Sequence, residues 1–176
     1  VNIGGDFTIA DGGTYDHDEN TTTFFGNQNS LITIGNTTTP EYLTFYDLVI
    51  DKTPTSSKST AWSVTLSSPG RSETAGVAAN HLMTIENDFT INEGKFNYYR
   101  YKTRLEGNNY TNYGTSLGDA TNTGRITLEN GTGAFQLTGS TSSTTEFGDV
   151  ELNDTDGATL NTNGSFNGFI LTAGVM

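Results

Sequence analysis

The stretch GDFTIADG, residues 5–12, recurs as NDFTINEG at 87–94 and as NGFILTAG at 167–174. Each copy has a Phe and an aliphatic residue at alternate positions, and each ends in Gly. Self-similarity at a long and nearly constant period is typical of a stacked repeat array rather than of a domain with one unique pocket. This pattern favours functions that depend on surfaces, adhesion and spacing.

Two other motifs recur in the same way. FYDLVID at 45–51 returns as FGDVELN at 147–153, and SLITIG at 30–35 returns as AFQLTG at 134–139. Because several strand-like motifs recur, we expect each copy to hold several strands that lie over the equivalent strands of the next copy.

The motif spacings divide the chain into copies. We expect a single β-helix segment of a longer protein, with copy one at 1–82, copy two at 83–164 and the start of a third copy at 165–176. The offset is larger for the motif that moves from 30–35 to 134–139 than for the one that moves from 5–12 to 87–94. This difference predicts an insertion at about 97–120. The offset falls again from the motif at 45–51 and 147–153 to the motif at 87–94 and 167–174, which predicts an insertion at about 53–80. Each is about the length of one further turn of the array, and each is also compatible with a protruding loop.

Alternation of apolar and polar residues is the dominant period in this sequence. Runs such as FTI, LVI, WSVTL and ITL are separated by Gly, Asn and Asp, and no helical period persists over three turns. We therefore predict an all-β fold, a parallel β-helix (β-solenoid) with two insertions. The residues expected to point inward are Phe7, Ile9, Ile34, Leu48, Ile50, Phe89, Ile91, Leu128, Val150, Leu152, Phe169 and Leu171.

Composition narrows the range of partners. The net charge is −12, with 8 Lys and Arg against 20 Asp and Glu. Nucleic acid and anionic membrane surfaces both require a basic footprint, so neither is expected as a partner. The chain has no Cys, which excludes disulfides and thiolate metal sites. Since no apolar run approaches the length of about 18 residues that a membrane-spanning helix needs, membrane insertion is not expected either.

The order of motifs resembles a known family. TFFGNQNSLITIG at 23–35 is followed by LTFYDLVID at 43–51 and WSVTL at 62–66, and then the first motif returns. This order resembles the β-helical repeat regions of very large secreted surface proteins of Bacteroidetes bacteria, which are substrates of type IX secretion. The resemblance implies that the parallel β-helix is right-handed and that the protein is exported, extracellular and located at the cell surface. It also implies a structural or adhesin-like role.

The second predicted insertion contains the most unusual composition. Residues 97–113 read NYYRYKTRLEGNNYTNY and hold five of the eight Tyr and three of the eight basic residues. Tyr and Arg dominate the energetics of many contact surfaces. The predicted ligand-binding residues are Tyr98, Tyr99, Arg100, Tyr101, Lys102, Arg104, Tyr110 and Tyr113. The alternative is a hairpin that packs its own aromatic side chains and uses Lys and Arg to protect a sheet edge.

A weaker candidate is a calcium site near the start of the chain. Asp16, Asp18 and Asn20 place oxygen ligands at alternate positions, and Ca²⁺ takes six to eight oxygens. The Gly and the distal Glu of an EF-hand loop are missing. A solvated turn explains the same residues, and no other cofactor is expected.

These observations favour a structural or adhesive β-solenoid array that recognises a surface glycan or protein through the Tyr/Arg-rich segment. We do not expect an enzyme, because no paired carboxylates stand out by spacing and the two His lie in no recognisable triad. Two alternatives are a β-helical polysaccharide-degrading enzyme and a self-assembling filament subunit. In the second alternative, self-association occurs through the open ends of the repeat array.

Overall fold

In a computed structural model the chain winds through successive turns, here called coils, of a parallel β-helix. The structure describes residues 1–10, 13–35, 43–53, 61–68, 83–99, 101–118, 124–141 and 145–176. Within those ranges all regular structure is β-strand, which confirms the all-β parallel β-helix expected from the alternating sequence pattern. The predicted insertion at 53–80 lies largely outside the described residues.

Twenty strands follow one another in the part of the chain that the structure describes. They are β1 (Asn2–Ile3), β2 (Phe7–Ile9), β3 (Thr21–Gly26), β4 (Ser30–Ile34), β5 (Leu43–Phe45), β6 (Asp47–Lys52), β7 (Ser63–Ser67), β8 (Met83–Ile85), β9 (Asp88–Glu93), β10 (Lys95–Tyr99), β11 (Lys102–Leu105), β12 (Asn109–Asn112), β13 (Thr115–Gly118), β14 (Arg125–Leu128), β15 (Phe135–Gly139), β16 (Thr145–Glu146), β17 (Asp149–Asn153), β18 (Ala158–Leu160), β19 (Gly164–Ser165) and β20 (Gly168–Ala173).

The strands are arranged in three parallel sheets, and each complete coil contributes one strand to each sheet. The first sheet has the order β1-β3-β6-β9-β12-β15-β18, the second β2-β4-β7-β10-β13-β16-β19, and the third β5-β8-β11-β14-β17-β20. Within the described ranges the first coil has no strand in the third sheet. Neighbouring strands run parallel, as expected when each coil stacks on the one before it.

The spacing between stacked residues varies from coil to coil. In the first sheet Thr23 pairs with Val49, Val49 with Thr90, and Thr90 with Thr111. The step along the chain is thus about twice as long from Val49 to Thr90 as from Thr90 to Thr111. The structural repeat is therefore the single coil, and its length varies because the corners between strands differ in length.

The recurring sequence motif does not stack on itself. Phe7, Phe89 and Phe169 lie on β2, β9 and β20, which belong to three different sheets. The expectation that equivalent strands of the copies lie over one another is therefore wrong. Each copy of the motif forms a strand that is followed by a tight corner. Because every sheet of the β-helix contains such strands, the motif recurs in all three sheets. Gly94 and Gly174 close two copies with φ of +97° and +87°, a backbone region that Gly enters without strain.

The core is a set of ladders made from alternate residues of each strand. One inward column of the first sheet runs through Leu48, Phe89, Tyr110 and Leu137, all without exposed surface. The rings of Phe89 and Tyr110 stack at 5.2 Å with an interplanar angle of 10°. Most of the residues predicted to point inward are buried. Phe7 and Ile9 are half-buried in the first coil, and Phe169 and Leu171 are exposed in the last.

One cation is part of this interior. Lys52, at the end of β6, has no exposed surface, and its Nζ donates to the Phe25 carbonyl at 3.0 Å and to Ser30 Oγ at 2.7 Å. Burial lowers the pKa of this amine, while Asp6 opposes the shift. Lys52 thereby ties the end of β3 to the start of β4.

Residues 97–118 do not protrude from the β-helix. They complete β10 and form β11, β12 and β13, so the second predicted insertion is a regular part of coils four and five. β11 pairs with β8 and β14, and β12 pairs with β9 and β15. Of the two possibilities left open for this segment, the structure shows a further turn of the array.

Candidate functional site

A group of seven ionisable side chains lies on the outer surface of the third sheet and at its edge. We call this surface the charged face and define it by Lys102, Arg104, Glu106, Arg125, Glu129, Asp149 and Glu151. Parallel pairing sets Lys102, Arg125 and Asp149 in one column and Arg104, Thr127 and Glu151 in the next. Basic side chains of the earlier coils thus lie beside acidic side chains of the later ones.

Arg104 holds together the first half of the charged face. Its Nε contacts Glu129 Oε1, and its Nη1 lies 3.3 Å from Glu106 Oε1. The other oxygen of Glu129 accepts a hydrogen bond from Asn153 Nδ2 at 3.1 Å. Glu129 is nearly buried, so the pair with Arg104 is less screened by solvent than a surface pair. These contacts fix the guanidinium and both carboxylates in place.

Arg125 holds together the second half of the charged face. Its Nη1 lies 3.4 Å from Glu151 Oε2, and both side chains are only 16% exposed. Thr172 Oγ1 donates to the other Glu151 oxygen at 3.0 Å, which links β20 to this pair. Burial raises the pKa of Asp149, although a hydrogen bond with Tyr98 and the positive charge of Arg125 act in the opposite direction. Asp149 therefore keeps its proton to a higher pH than an ordinary aspartic acid side chain does.

Three of the predicted ligand-binding tyrosines are core residues. Tyr98 and Tyr110 have no exposed surface, and Tyr101 is 9% exposed. Tyr98 Oη accepts a hydrogen bond from the Asp149 backbone N–H at 2.7 Å, and Tyr110 Oη donates to the Phe147 carbonyl at 3.3 Å. Since their rings point into the tube, these three side chains do not offer a contact surface. The alternative described a hairpin, whereas the strands of this segment pair parallel with strands of neighbouring coils. Tyr98 packs against Phe96, and Tyr110 packs against Phe89 and Phe147.

Four of the other predicted ligand-binding residues reach the surface, namely Tyr99, Lys102, Arg104 and Tyr113. Lys102 and Arg104 lie on the charged face, two positions apart on β11. Tyr99 is 47% exposed at the corner that leads into β11, and Tyr113 is 48% exposed at the corner between β12 and β13. The two exposed tyrosines are thus at different corners. Arg100 lies outside the described residues.

The turn before β11 brings Tyr99 to the border of the charged face. The Tyr101 N–H donates to the Tyr98 carbonyl at 2.9 Å, which closes a tight turn with Tyr99 as its second residue. Tyr99 has φ of 49°, and its N–H donates to Asn97 Oδ1 at 3.2 Å. Lys102 is the first residue after this turn and has no ion-pair partner within the described ranges.

The residues proposed for calcium form an exposed turn. Asp16 Oδ1 accepts a hydrogen bond from the Asp18 N–H at 3.1 Å, and Asn20 Nδ2 donates to the Asp18 carbonyl at 2.9 Å. Asp18 itself has φ of 47°. Within the described residues no three His, Cys, Asp or Glu side chains group so as to hold a metal ion. The calcium hypothesis therefore stays a prediction, with no geometry beyond this turn to support it.

Sequence reasoning missed Arg125, Glu129, Asp149 and Glu151. The run RITLE at 125–129 does carry a signal, since its charged ends flank an alternating strand. The sequence could not supply the register between the strands. That register places Arg125 beside Lys102, and it places Glu151 two strands away from Arg104. That register depends on coil lengths, which no motif spacing revealed.

Comparison of the chain with protein-family models, with curated proteins and with solved structures finds no match in any of the three. In the part of the chain that the structure describes, no helix is long and apolar enough to cross a membrane.

Proposed function

We propose that this chain is a structural and adhesive β-solenoid of an exported bacterial surface protein, with its recognition site at the border of the charged face. The extracellular location follows from the resemblance of its motif order to secreted surface repeats. The stacked coils provide a stiff spacer, because each coil is hydrogen-bonded to its neighbours along three sheets.

One observation carries the adhesive part of this proposal. Tyr99 is exposed at a tight turn, and Lys102 and Arg104 follow it on the outer surface of β11. We call these three residues the Tyr99 patch. The backbone of the turn is fixed by hydrogen bonds, so Tyr99 presents its ring with little loss of conformational freedom on binding.

The chemistry of the Tyr99 patch suits a glycan. A Tyr ring offers an apolar face for a sugar ring and a hydroxyl for hydrogen bonding. Lys102 supplies three donors and has no ion-pair partner among the described residues, whereas the neighbouring Arg125 is already paired with Glu151. Sugars that carry carboxylate or sulfate groups are therefore expected to bind more strongly than neutral ones.

The test is a panel of neutral and anionic polysaccharides in which retained protein and released sugar are both measured. We expect retention without release, strongest for anionic polymers and weakened by salt. Tyr99→Ala and Lys102→Ala should each lower the affinity about five- to tenfold, as for other aromatic or charged contact residues.

Tyr113→Ala is the matched control, because Tyr113 is equally exposed at another corner. It should leave retention unchanged. Equal loss of binding in all three variants, or retention that ignores all of them, would remove the Tyr99 patch from the proposal. No retention of any polymer would leave the spacer role alone.

A second function is favoured by one specific observation. The raised pKa of Asp149, beside Arg125 on the charged face, is of the kind found in carboxylic acids that donate protons in catalysis. The corresponding hypothesis is a β-helical polysaccharide-degrading enzyme. It requires sugar release in the same panel and its loss in Asp149→Asn, whereas the adhesive proposal requires that no sugar be released by either protein.

A further inference from the structure

The interior of the β-helix becomes polar at coil five. In the first sheet, the inward position that Ile91 fills on β9 is filled by Asn112 on β12. In the second sheet, the inward position of Val64 and Phe96 is filled by Ser116 on β13. Asn112 and Ser116 have no exposed surface, so two polar side chains enter the core in the same coil. Burying a polar group is unfavourable unless it is hydrogen-bonded.

The amide group of Asn112 is held in one orientation. Its Nδ2 donates to the Glu146 carbonyl at 2.7 Å, and the reverse orientation would bring the amide oxygen against that carbonyl oxygen. Asn112 Oδ1 therefore points away from Glu146, and no hydrogen-bond donor in the described part of the chain reaches it. One strong acceptor is thus left over in the core.

Two tyrosine hydroxyls lie beside these side chains. Burial raises the pKa of Tyr98 and of Tyr110, while the side chain of Ser116 acts in the opposite direction on both. Asn112 acts on Tyr110 in the same way as Ser116. Tyr98, Tyr110, Asn112 and Ser116 thus form one group, which we call the core polar site. Ser116 Oγ lies close to both hydroxyls, but within the described ranges it has no partner at hydrogen-bonding geometry.

The tyrosine hydroxyls are only weakly engaged as donors. Tyr110 Oη donates to the Phe147 carbonyl at 3.3 Å, and Tyr98 Oη donates to the Asp149 carbonyl at 3.4 Å. Hydroxyl donors usually lie about 2.5–3.0 Å from their acceptors. The core polar site therefore combines two atoms that lack a partner among the described residues with two long hydrogen bonds.

We propose that the core polar site binds one water molecule inside the β-helix. The water donates to Asn112 Oδ1 and to Ser116 Oγ, and it accepts a hydrogen bond from the Tyr110 hydroxyl. Buried waters in proteins typically make about three such bonds to groups that would otherwise be unpaired. This arrangement satisfies both unpaired atoms, and it replaces one of the long donor bonds.

The size and charge of the core polar site favour water over other ligands. Ser116 is much smaller than Phe96, the residue before it in the inward column, so side chains fill less of the core in coil five. All four side chains of the site are neutral at pH 7, and three of them carry hydroxyls that can donate as well as accept. These side chains supply no opposing charge for a metal cation, and burying an unpaired charge is unfavourable.

Oxygen-17 relaxation dispersion of the solvent tests the proposal on the chain 1–176. The method counts waters that stay inside a protein for longer than it takes to tumble, and it does not respond to proton exchange. Ser116→Thr keeps the hydroxyl and adds a methyl group in the space assigned to the water, so the count should fall by about one. Ser67→Thr is the matched control, because Ser67 lies on the outer face of β7 in the same sheet. It should leave the count unchanged.

A crystal structure of the unmodified chain gives a second readout that does not depend on a variant. We expect an electron-density peak about 2.5–3.0 Å from both Asn112 Oδ1 and Ser116 Oγ. The proposal fails if these two atoms are instead paired directly with protein groups, or if rubidium soaked into the crystal gives an anomalous signal at the site. It also fails if Ser116→Thr, shown to be folded by circular dichroism, keeps the full count of internal waters, or if Ser67→Thr loses as many.

Discussion

At the scale of single residues, the two faces of a strand decide what a tyrosine does. Tyr98 and Tyr99 are adjacent in sequence, yet one has no exposed surface and the other is nearly half exposed. Tyr98 lies two residues after Phe96 on β10, so both side chains point into the core, while Tyr99 lies at the start of the corner. Composition identified the Tyr-rich segment correctly as unusual. It could not separate core from surface, because both roles use the same residue type.

The buried tyrosines predict loss of stability in alkali. Burial raises the pKa of both Tyr98 and Tyr110 above the ordinary value of about 10. Above pH 10 the unfolded chain releases these protons and the folded chain keeps them, so the free energy of unfolding falls as pH rises. Below pH 10 the contribution is fully present.

Urea unfolding between pH 7 and 11 checks this prediction. Tyr98→Phe and Tyr110→Phe should each cost about 1 kcal/mol at pH 7 through a lost hydrogen bond. Each should also flatten the fall in stability above pH 10, so that the difference from the unmodified chain narrows. Tyr113→Phe, at an exposed position, should change neither quantity. An unchanged alkaline slope in both buried variants would contradict the assigned burial.

At the scale of elements, strands were predicted well where their own residues alternate and poorly where they do not. SLITI and SVTLS are apparent in the sequence and form β4 and β7. KTRL, NYTN and TSLG form β11, β12 and β13 but lack a clear apolar alternation. Their backbone hydrogen bonds come from the coils on either side, so stacking overrides the weak local preference.

Corners between strands are held by close contacts between coils. Gly107 lies in the corner between β11 and β12, and a Cβ built on it would lie 1.6 Å from the Asn87 carbonyl oxygen. Gly107→Ala therefore forces adjacent coils apart. We expect a loss of about 3 kcal/mol, and a melting temperature lower by about 6–12 °C in thermal unfolding followed by circular dichroism.

Gly133→Ala serves as the comparison, because the nearest atom to a Cβ there is Asn108 Nδ2 at 3.9 Å. Its melting temperature should remain within about 2 °C of the unmodified chain. Equal effects of the two substitutions would show that inter-coil contact does not determine stability at these corners.

At the scale of the whole molecule, the motifs indicated a repeat array but suggested the wrong period. The similar motifs at 5–12 and 87–94 point to one long unit, while residues as close in sequence as Thr90 and Thr111 are stacked on each other. Corner lengths vary and hide the short period. The charged face could not be located from the sequence either, because its residues come together only through the register between coils. Of its residues, the sequence predicted only Lys102 and Arg104 as part of a site.

A chain built from stacked coils should tolerate the removal of one whole coil. Asp88 pairs with Asn109, so residues 88–108 make up one step of the first sheet. Deleting them places β12 on β6, with Tyr110 over Leu48. Stability in such arrays is roughly a sum over coils and their interfaces. The shortened chain should therefore keep its β-sheet circular dichroism and melt cooperatively, at a lower temperature.

Deletion of 88–97 is the decisive comparison, because it removes fewer residues but only part of a coil. Strands of the second and third sheets would then meet the wrong partners, and the inward columns would be interrupted. We expect this variant to aggregate or to lack a cooperative transition. If instead the partial deletion folds and the whole-coil deletion does not, residues 88–108 are not one coil, and the register of the first sheet is incorrect. The whole-coil deletion also removes the Tyr99 patch, so the same folded variant should no longer be retained by polysaccharides.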